Sequence, residues 1–490
     1  MKMNNKIFEG YRQEYRRKGY WGDATLEDYW NLAVLRTPDK LYVTDYQGQG
    51  YSYAKLDQQA ERLAAWLRAN GTKPGDIISF QIPGWSEFML IYIACLKAGA
   101  VVNPILACYR LKELVYILNK CNSKFFFCPS VHKNFVYMDM QEELLKQVPG
   151  LQRVVVVDKE KELALPDTLR QILKYTGAFP MRSRRTADDL AAVIFTSGTE
   201  GFPKGVMLTH NNILASERSF ISALHLCEYD RILLPGPTAH AIGFHHGATT
   251  TFLLGATIHL QDIYKIRTTV EIIERERCTC CMGPTPFVFD MLRLLEQEKH
   301  DISSLRLFIC GGAVITKQVF EKAHAYGINV VDVYGSTEAV PHAVFGRDPS
   351  IKNGPMPGIE VKIVDKYRQE VADGEDGEEA SRGPNVFAGY LGDTKITDRV
   401  LAEAGVKPNI VLTSRNYELL RRLTGEGMGC MLLPSRYIGL LGGESYRPAY
   451  YMIPPKYRAW WVLSVVRLRE AYLSRAAQAF LGSFKAHLAE

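Results

Sequence analysis

The string Thr196-Ser197-Gly198-Thr199-Glu200-Gly201-Phe202-Pro203-Lys204-Gly205 places three hydroxyl residues, three glycines and one lysine within ten positions. Glycines let backbone N–H groups come close to a phosphate, hydroxyls donate further hydrogen bonds, and a lysine supplies a point charge. The combination is phosphate-binding chemistry. A Walker A loop would need G-x-x-x-x-G-K-[ST]. Here Pro203 precedes Lys204 and Gly205 follows it, which disfavours a P-loop NTPase. A flexible surface loop is the plain alternative, and a lone TSGT would leave it open. The full string weighs against it.

Residues 191–195 (AAVIF) read as a strand running straight into this loop, the place where α/β proteins put ligand chemistry. Upstream, residues 52–70 have apolar positions at helical spacing and end at Gly71. A strand is expected over 76–82, then a helix over SEFMLIYIACLKAG with Gly99 as its C-cap. The apolar run AVVNPIL, a helix around 111–119 and strands at 124–128 and 153–158 follow. Such alternation implies parallel sheets with helices on both faces. It continues to about Asp365, and residues 371–379 are an acidic, Gly-rich turn region.

The chain has 490 residues; at roughly 100–200 per domain that allows two to four domains or one large multi-lobed one. Apolar residues make up 47% and charged residues 23%, ordinary for a soluble globular protein. The net charge of +6 is spread thinly, and the short cluster of Arg182, Arg184 and Arg185 is no nucleic-acid surface. Among ten cysteines, Cys278, Cys280 and Cys281 stand close together in RCTCCMG. No second ligand pair stands at zinc spacing, so a buried strand is expected there. The N-terminal residues have no apolar h-region, so no secretory signal is expected. The most apolar stretch, residues 88–107, is interrupted by Lys97, Gly99, Asn103 and Pro104, which disfavours a membrane span. A cytoplasmic protein with reduced thiols is expected.

The phosphate string resembles the signature loop of the adenylate-forming superfamily, which comprises acyl-CoA synthetases, luciferases and peptide-synthetase adenylation domains. Other motifs follow in that family's order: residues 237–244 (PTAHAIGF), Gly311-Gly312-Ala313, Tyr334-Gly335-Ser336-Thr337-Glu338, and the later GPMPG, GEDG and RGPNVFAGY runs. The likeness covers about residues 26–395. Runs such as CLKAGAV, LNKC, FTSGTEGFPKGVMLTHNNILASER and EEASRGPNVF are most similar to bacterial short- and medium-chain fatty acid–CoA ligases. The resemblance implies an α/β fold: a large N-terminal domain of parallel sheets sandwiched by helices, plus a small β-barrel. It implies ATP, Mg²⁺ and coenzyme A as co-substrates and cofactor, and a small carboxylic acid as substrate. It also implies roles. Ser197, Gly198 and Thr199 would cradle phosphates, and Lys204 would neutralise the leaving pyrophosphate. Gly311, Gly312 and Ala313 would lie beside the adenine, and Tyr334, followed by Gly335 and Ser336, would stack on it. Thr337 would bond the α-phosphate. Glu338, with Thr196 as companion, would hold Mg²⁺, which typically takes one or two protein oxygens plus phosphate oxygens and water. His240 would line the carboxylate pocket, whereas His245 and His246 read as structural.

The later residues depart from that pattern. Relatives carry Y-x-[TS]-G-D, then G-R-x-K-D at a hinge, then P-x-T-x-x-G-K with a catalytic lysine. None occurs in residues 391–490; Asp393 and Asp398 come too early, and Lys485 lacks the motif. The spacing between Val344 and Gly358 is also short for the family. Residues 398–434 are instead similar to the second half of the effector-binding domain of LysR-type regulators: a strand, a helix, a Gly-rich turn, then a short apolar strand ending in Pro. The expected division is an extension (1–25), an AMP-binding domain (26–395) and an α/β fragment (396–490) in place of the usual small domain. An unusual small ligase domain is the alternative for that last part. Three functions follow: a working acid–CoA ligase with impaired turnover, a nucleotide- and acid-binding remnant of a gene fusion, or a regulator fragment. The third is weakest, because no DNA-reading helix-turn-helix precedes the fragment. Neither the acid's chain length nor the oligomeric state has a sequence signal.

Overall fold

A computed structural model describes residues 6–46, 48, 50–158, 168–177, 185–196, 203–312, 315–365, 369–372, 374–392 and three later strands. Residues 6–11 and those three strands are described by backbone alone. The chain parts into two units, with the break between Leu391 and Gly392.

The first unit is built on two sheets. One has six strands in the order Gly205–Thr209, Leu190–Phe195, Val101–Pro104, Ile77–Phe80, Phe125–Pro129, Arg153–Val157. All its pairings are parallel except that of Gly205–Thr209 with Leu190–Phe195. The other has nine strands. Its centre runs in parallel through Asn329–Ser336, Leu307–Gly311, Cys280–Pro284, Arg231–Leu234, Thr257–Leu260 and Leu41–Asp45. The strands Ala339–Gly346 and Gly354–Pro355 extend one edge in antiparallel fashion.

Helix Ser86–Ala98 touches strands of both sheets, and all thirteen of its residues are buried. Its apolar residues leave no polar stripe, as expected of a helix covered all round. Gly99 closes it in the left-handed conformation, φ 71°, the C-cap read from the sequence. Its one buried cation, Lys97, is paired with Asp57 at 2.6 Å and Glu61 at 3.5 Å. The expected helix over 52–70 is Tyr53–Ala69, capped by the Ser52 hydroxyl. The cysteine-rich segment is the buried strand Cys280–Pro284. Burial pushes the Cys278 thiol up to about 12. Among the described residues no group of three or more His, Cys, Asp or Glu could hold a metal, and no helix is long and apolar enough to cross a membrane. Where a small barrel was implied, the described residues form a two-stranded sheet of Glu360–Val364 with Glu378–Arg382.

Two further links matter for the site. Residues before 26 are tied to this unit: Trp21 is buried, and its indole N–H donates to the Pro384 carbonyl at 2.9 Å. At the other end the segment 388–391 zips onto Gly205–Thr209. Ala388 N–H donates to Met207 O at 2.8 Å, Met207 N–H to Gly389 O at 2.9 Å, and Leu391 N–H to Gly205 O at 2.8 Å.

The second unit contains a three-stranded antiparallel sheet with Leu463–Leu468 between Met431–Pro434 and Pro448–Met452. The short apolar strand ending in Pro434 is therefore present. The strand and helix expected before it lie outside the described residues.

Candidate active site

The phosphate string spans a hairpin. Strand Leu190–Phe195 delivers Thr196, and Lys204 leads into Gly205–Thr209. The neck is closed by Thr196 N–H donating to Lys204 O at 3.0 Å and Lys204 N–H donating to Thr196 Oγ1 at 3.4 Å. The Tyr109 hydroxyl donates to Thr196 O at 3.4 Å. Gly205 leaves no room for a side chain: a Cβ there would lie 3.0 Å from the Phe195 ring and 3.2 Å from Leu391 Cβ. Ser197, Gly198 and Thr199 lie outside the described residues, as does Ala313.

A second hairpin carries the nucleotide-side residues. Asn329–Ser336 turns back into Ala339–Gly346, and Thr337-Glu338 are the two turn residues. Such a turn projects both side chains beyond the strand ends, where a ligand can meet them. The neighbouring strand ends at Gly311, where a Cβ would stand 2.5 Å from the Val333 carbonyl oxygen, so only glycine fits. Gly312 follows with φ 94°. Tyr334 is 51% exposed, an unusual condition for a large aromatic on a central strand and the condition a stacking face needs. Its ring meets His342 edge-on, with centroids 5.8 Å apart. The Glu379 carboxylate accepts a hydrogen bond from the Tyr334 hydroxyl, which raises the phenol's pKa. Glu379 also lies 2.6 Å from His342 Nδ1.

The two hairpins meet through Tyr390. Its hydroxyl donates to Glu338 Oε1 at 2.7 Å, and Lys204 Nζ stands 5.3 Å from its ring centroid. Phe387 N–H donates to Glu338 O at 2.8 Å, fixing the backbone of the same turn. A phenol thus links the loop's cation with the turn's carboxylate. Thr196 and Glu338, both half-buried, offer hard oxygens only. That donor set fits a Mg²⁺ ion that keeps water and phosphate oxygens, and not a cation enclosed by protein ligands.

On the third side, the strand Arg231–Leu234 leads to Pro237, whose carbonyl accepts from His240 N–H at 3.1 Å. His240 starts a helical segment whose residues Gly243–Thr249 are π-helical. Gly243 is required here, since a Cβ would come within 2.4 Å of Pro237 O. The His240 ring is exposed, yet surrounding protein atoms desolvate it and lower its pKa. That pairing describes a concave wall, and it keeps the imidazole neutral at pH 7. His245 and His246 are buried against Glu217, with Nδ1 atoms at 3.3 and 2.9 Å from its carboxylate oxygens.

Of the residues singled out by sequence, Lys204 and Glu338 are thus joined through Tyr390, and Thr196 through the hairpin neck. Tyr390, Tyr109, Glu379, His342 and Glu217 were not singled out as site residues. Tyr390 alone had a sequence signal, as the last residue of RGPNVFAGY.

The sequence pattern described as "AMP-binding enzyme" matches residues 31–391. The chain belongs to the AMP-binding enzyme family. Within that family it is of the acid–CoA ligase kind. This AMP-binding enzyme is 46% identical over 411 residues to the medium-chain fatty-acid–CoA ligase of Escherichia coli (strain K12), covering 83% of this chain and 73% of the relative. It is 26% identical to a feruloyl-CoA synthase of an Amycolatopsis species, over 86% of this chain and 81% of that one. Its fold matches a long-chain-fatty-acid–CoA ligase from Archaeoglobus fulgidus, with TM-score 0.68 and 23% identity over 77% of this chain and 78% of that one. A second pattern, "LysR substrate binding domain", matches residues 387–489, so the enzyme's last residues carry the likeness expected of them.

Proposed function

We propose that this enzyme activates a medium-chain fatty acid with ATP, and that residues 392–490 leave the activation impaired. The observation that carries the reading is the convergence of Lys204, Tyr390 and Glu338 beside the exposed face of Tyr334. Adenine stacks on Tyr334 between Gly311-Gly312-Ala313 and Gly335-Ser336. Thr337 bonds the α-phosphate, while Thr196, Ser197, Gly198 and Thr199 hold the other phosphates. Glu338 and Thr196 hold Mg²⁺, which when bound supplies charge neutralisation on the phosphate oxygens. An oxygen of the fatty carboxylate, presented beside neutral His240, attacks the α-phosphorus. The bond to the bridging oxygen breaks, and pyrophosphate leaves with the electron pair next to Lys204. The coenzyme A thiolate would then attack the acyl carbon and release AMP. These residues work by positioning and by fixed charge.

We assign the core to residues 26–395 and the tail to 396–490. The tail holds none of the motifs with which relatives close over ATP. Loss of one charge-stabilising donor typically costs about 10²–10³ in rate. ATP–pyrophosphate exchange with hexanoate and octanoate is therefore expected at least about 10²-fold below that of an intact relative, with little or no thioester. Exchange at the relative's rate sinks the impairment. Nucleotide binding with no exchange at all favours the second reading, a nucleotide- and acid-binding remnant, which the LysR-like match supports.

A further inference from the structure

Helix His210–Ala223 begins five residues beyond the phosphate loop and reaches every other segment of the site from one face. Its Asn212 amide donates to the carbonyls of Pro384 and Val386, at 3.0 and 2.8 Å, on the segment that leads to Tyr390. One turn on, Ser216 and Glu217 face two different segments. The Glu217 side chain is fully buried. Its Oε2 accepts from Thr250 Oγ1 at 2.6 Å and meets His246 Nδ1 at 2.9 Å. Its Oε1 lies 2.6 Å from Ser216 Oγ and 3.3 Å from His245 Nδ1. His246 in turn stacks on Phe220 of the same helix. Glu217 therefore clamps both ends of the π-helical stretch that follows His240. Ser216 Oγ also contacts the Val340 carbonyl, two residues past Glu338.

Ser216 has a single hydroxyl proton and stands between two acceptors, so it donates to one of them at a time. Burial alone would raise the Glu217 pKa, but the charge and hydrogen bonds of His246 and His245 outweigh it and lower it, so the carboxylate is ionised and can only accept. The neighbouring polar groups that face it are Ser216, His245, His246 and Thr250.

We propose that Ser216 and Glu217 form a positioning node that couples the acid-side segment carrying His240 to the nucleotide-side hairpin carrying Thr337 and Glu338. This rests on the functional reading above for what each side binds. When the hydroxyl turns toward Glu217 it releases Val340, and when it turns toward Val340 the clamp loses a donor. Occupancy on one side is thereby communicated to the other.

The test titrates the full chain with a non-hydrolysable ATP analogue, α,β-methylene ATP, in Mg²⁺ buffer, with and without saturating octanoate. Octanoate is expected to change the analogue's Kd by about fivefold or more in the wild type. Glu217→Gln and Ser216→Ala should bring that ratio to one, and Ser216→Thr, which keeps a hydroxyl, should restore it. A ratio of one in the wild type, or an unchanged ratio in both variants, overturns the node. Should neither ligand bind the wild type, the functional reading falls, and amide hydrogen exchange of the unliganded protein decides the node. Both variants should then speed exchange in Ala339–Gly346, which Glu217 reaches only through Ser216. Unchanged exchange there in both overturns it.

Discussion

Lys204, Tyr334, Thr337 and Glu338 could be read from the sequence because each lies in a contiguous string whose composition already states a chemistry. Their supports could not. Tyr390 is 52 residues from Glu338, Glu379 is 37 from His342, and His246 is 29 from Glu217. Only the fold brings those pairs together. The roles remain open to direct measurement. Tyr334→Ala removes the stacking face and should weaken ATP binding by about 5- to 100-fold, since stacking on an aromatic is worth roughly 1–3 kcal/mol per base. Tyr334→Phe keeps the face and loses only the bond to Glu379, so it should retain most of the affinity. Equal losses in the two variants would refute stacking. Glu338→Ala should abolish the Mg²⁺ dependence of ATP binding, measured by calorimetry with and without the ion; an intact dependence removes Glu338 from the metal site.

Helices and strands with a strong period were equally legible. The Gly99 cap and the strand leading into the phosphate loop stand where apolar spacing and turn residues put them. The π-helical stretch Gly243–Thr249 was not, because its residue period matches neither a helix nor a strand template, and its sequence FHHGAT carries no cap signal. Adjacent residues of a π-helix are rotated less far apart than in an α-helix, which lets His245 and His246 both face one carboxylate. Helix His210–Ala223 makes a separate prediction at its first residue. The buried His210 Nδ1 accepts from Leu26 N–H at 3.2 Å. Burial, with the nearby Arg185 charge, lowers its pKa to about 4. In the unfolded chain the same imidazole takes up a proton near its ordinary value of about 6.5. The unfolded state therefore binds more protons in that window, so stability is full above pH 6.5 and is lost as pH falls toward 4. Urea unfolding at pH 7 and pH 5 should differ by on the order of 2 kcal/mol from this group. His210→Asn should remove that part of the difference; an unchanged pH dependence in the variant would show that His210 is not its source.

At the scale of the whole molecule, every described residue assigned to the site belongs to the unit that ends at Leu391. Excising residues 392–490 should leave nucleotide affinity within about twofold, as for changes at independent sites. A larger loss by calorimetry would show that the tail contributes to the site. The pairing of residues 388–391 with Gly205–Thr209 has a consequence for ancestry. Leu391 is the last residue of the AMP-binding match and also the last to be tied back to its sheet. A gene broken just downstream leaves no torn strand and no orphaned backbone, so recombination at that point delivers a self-sealed body to whatever reading frame lies next. The same stitch that holds Tyr390 over Lys204 makes this joint a place where a lineage can trade one cargo for another without unravelling what came before.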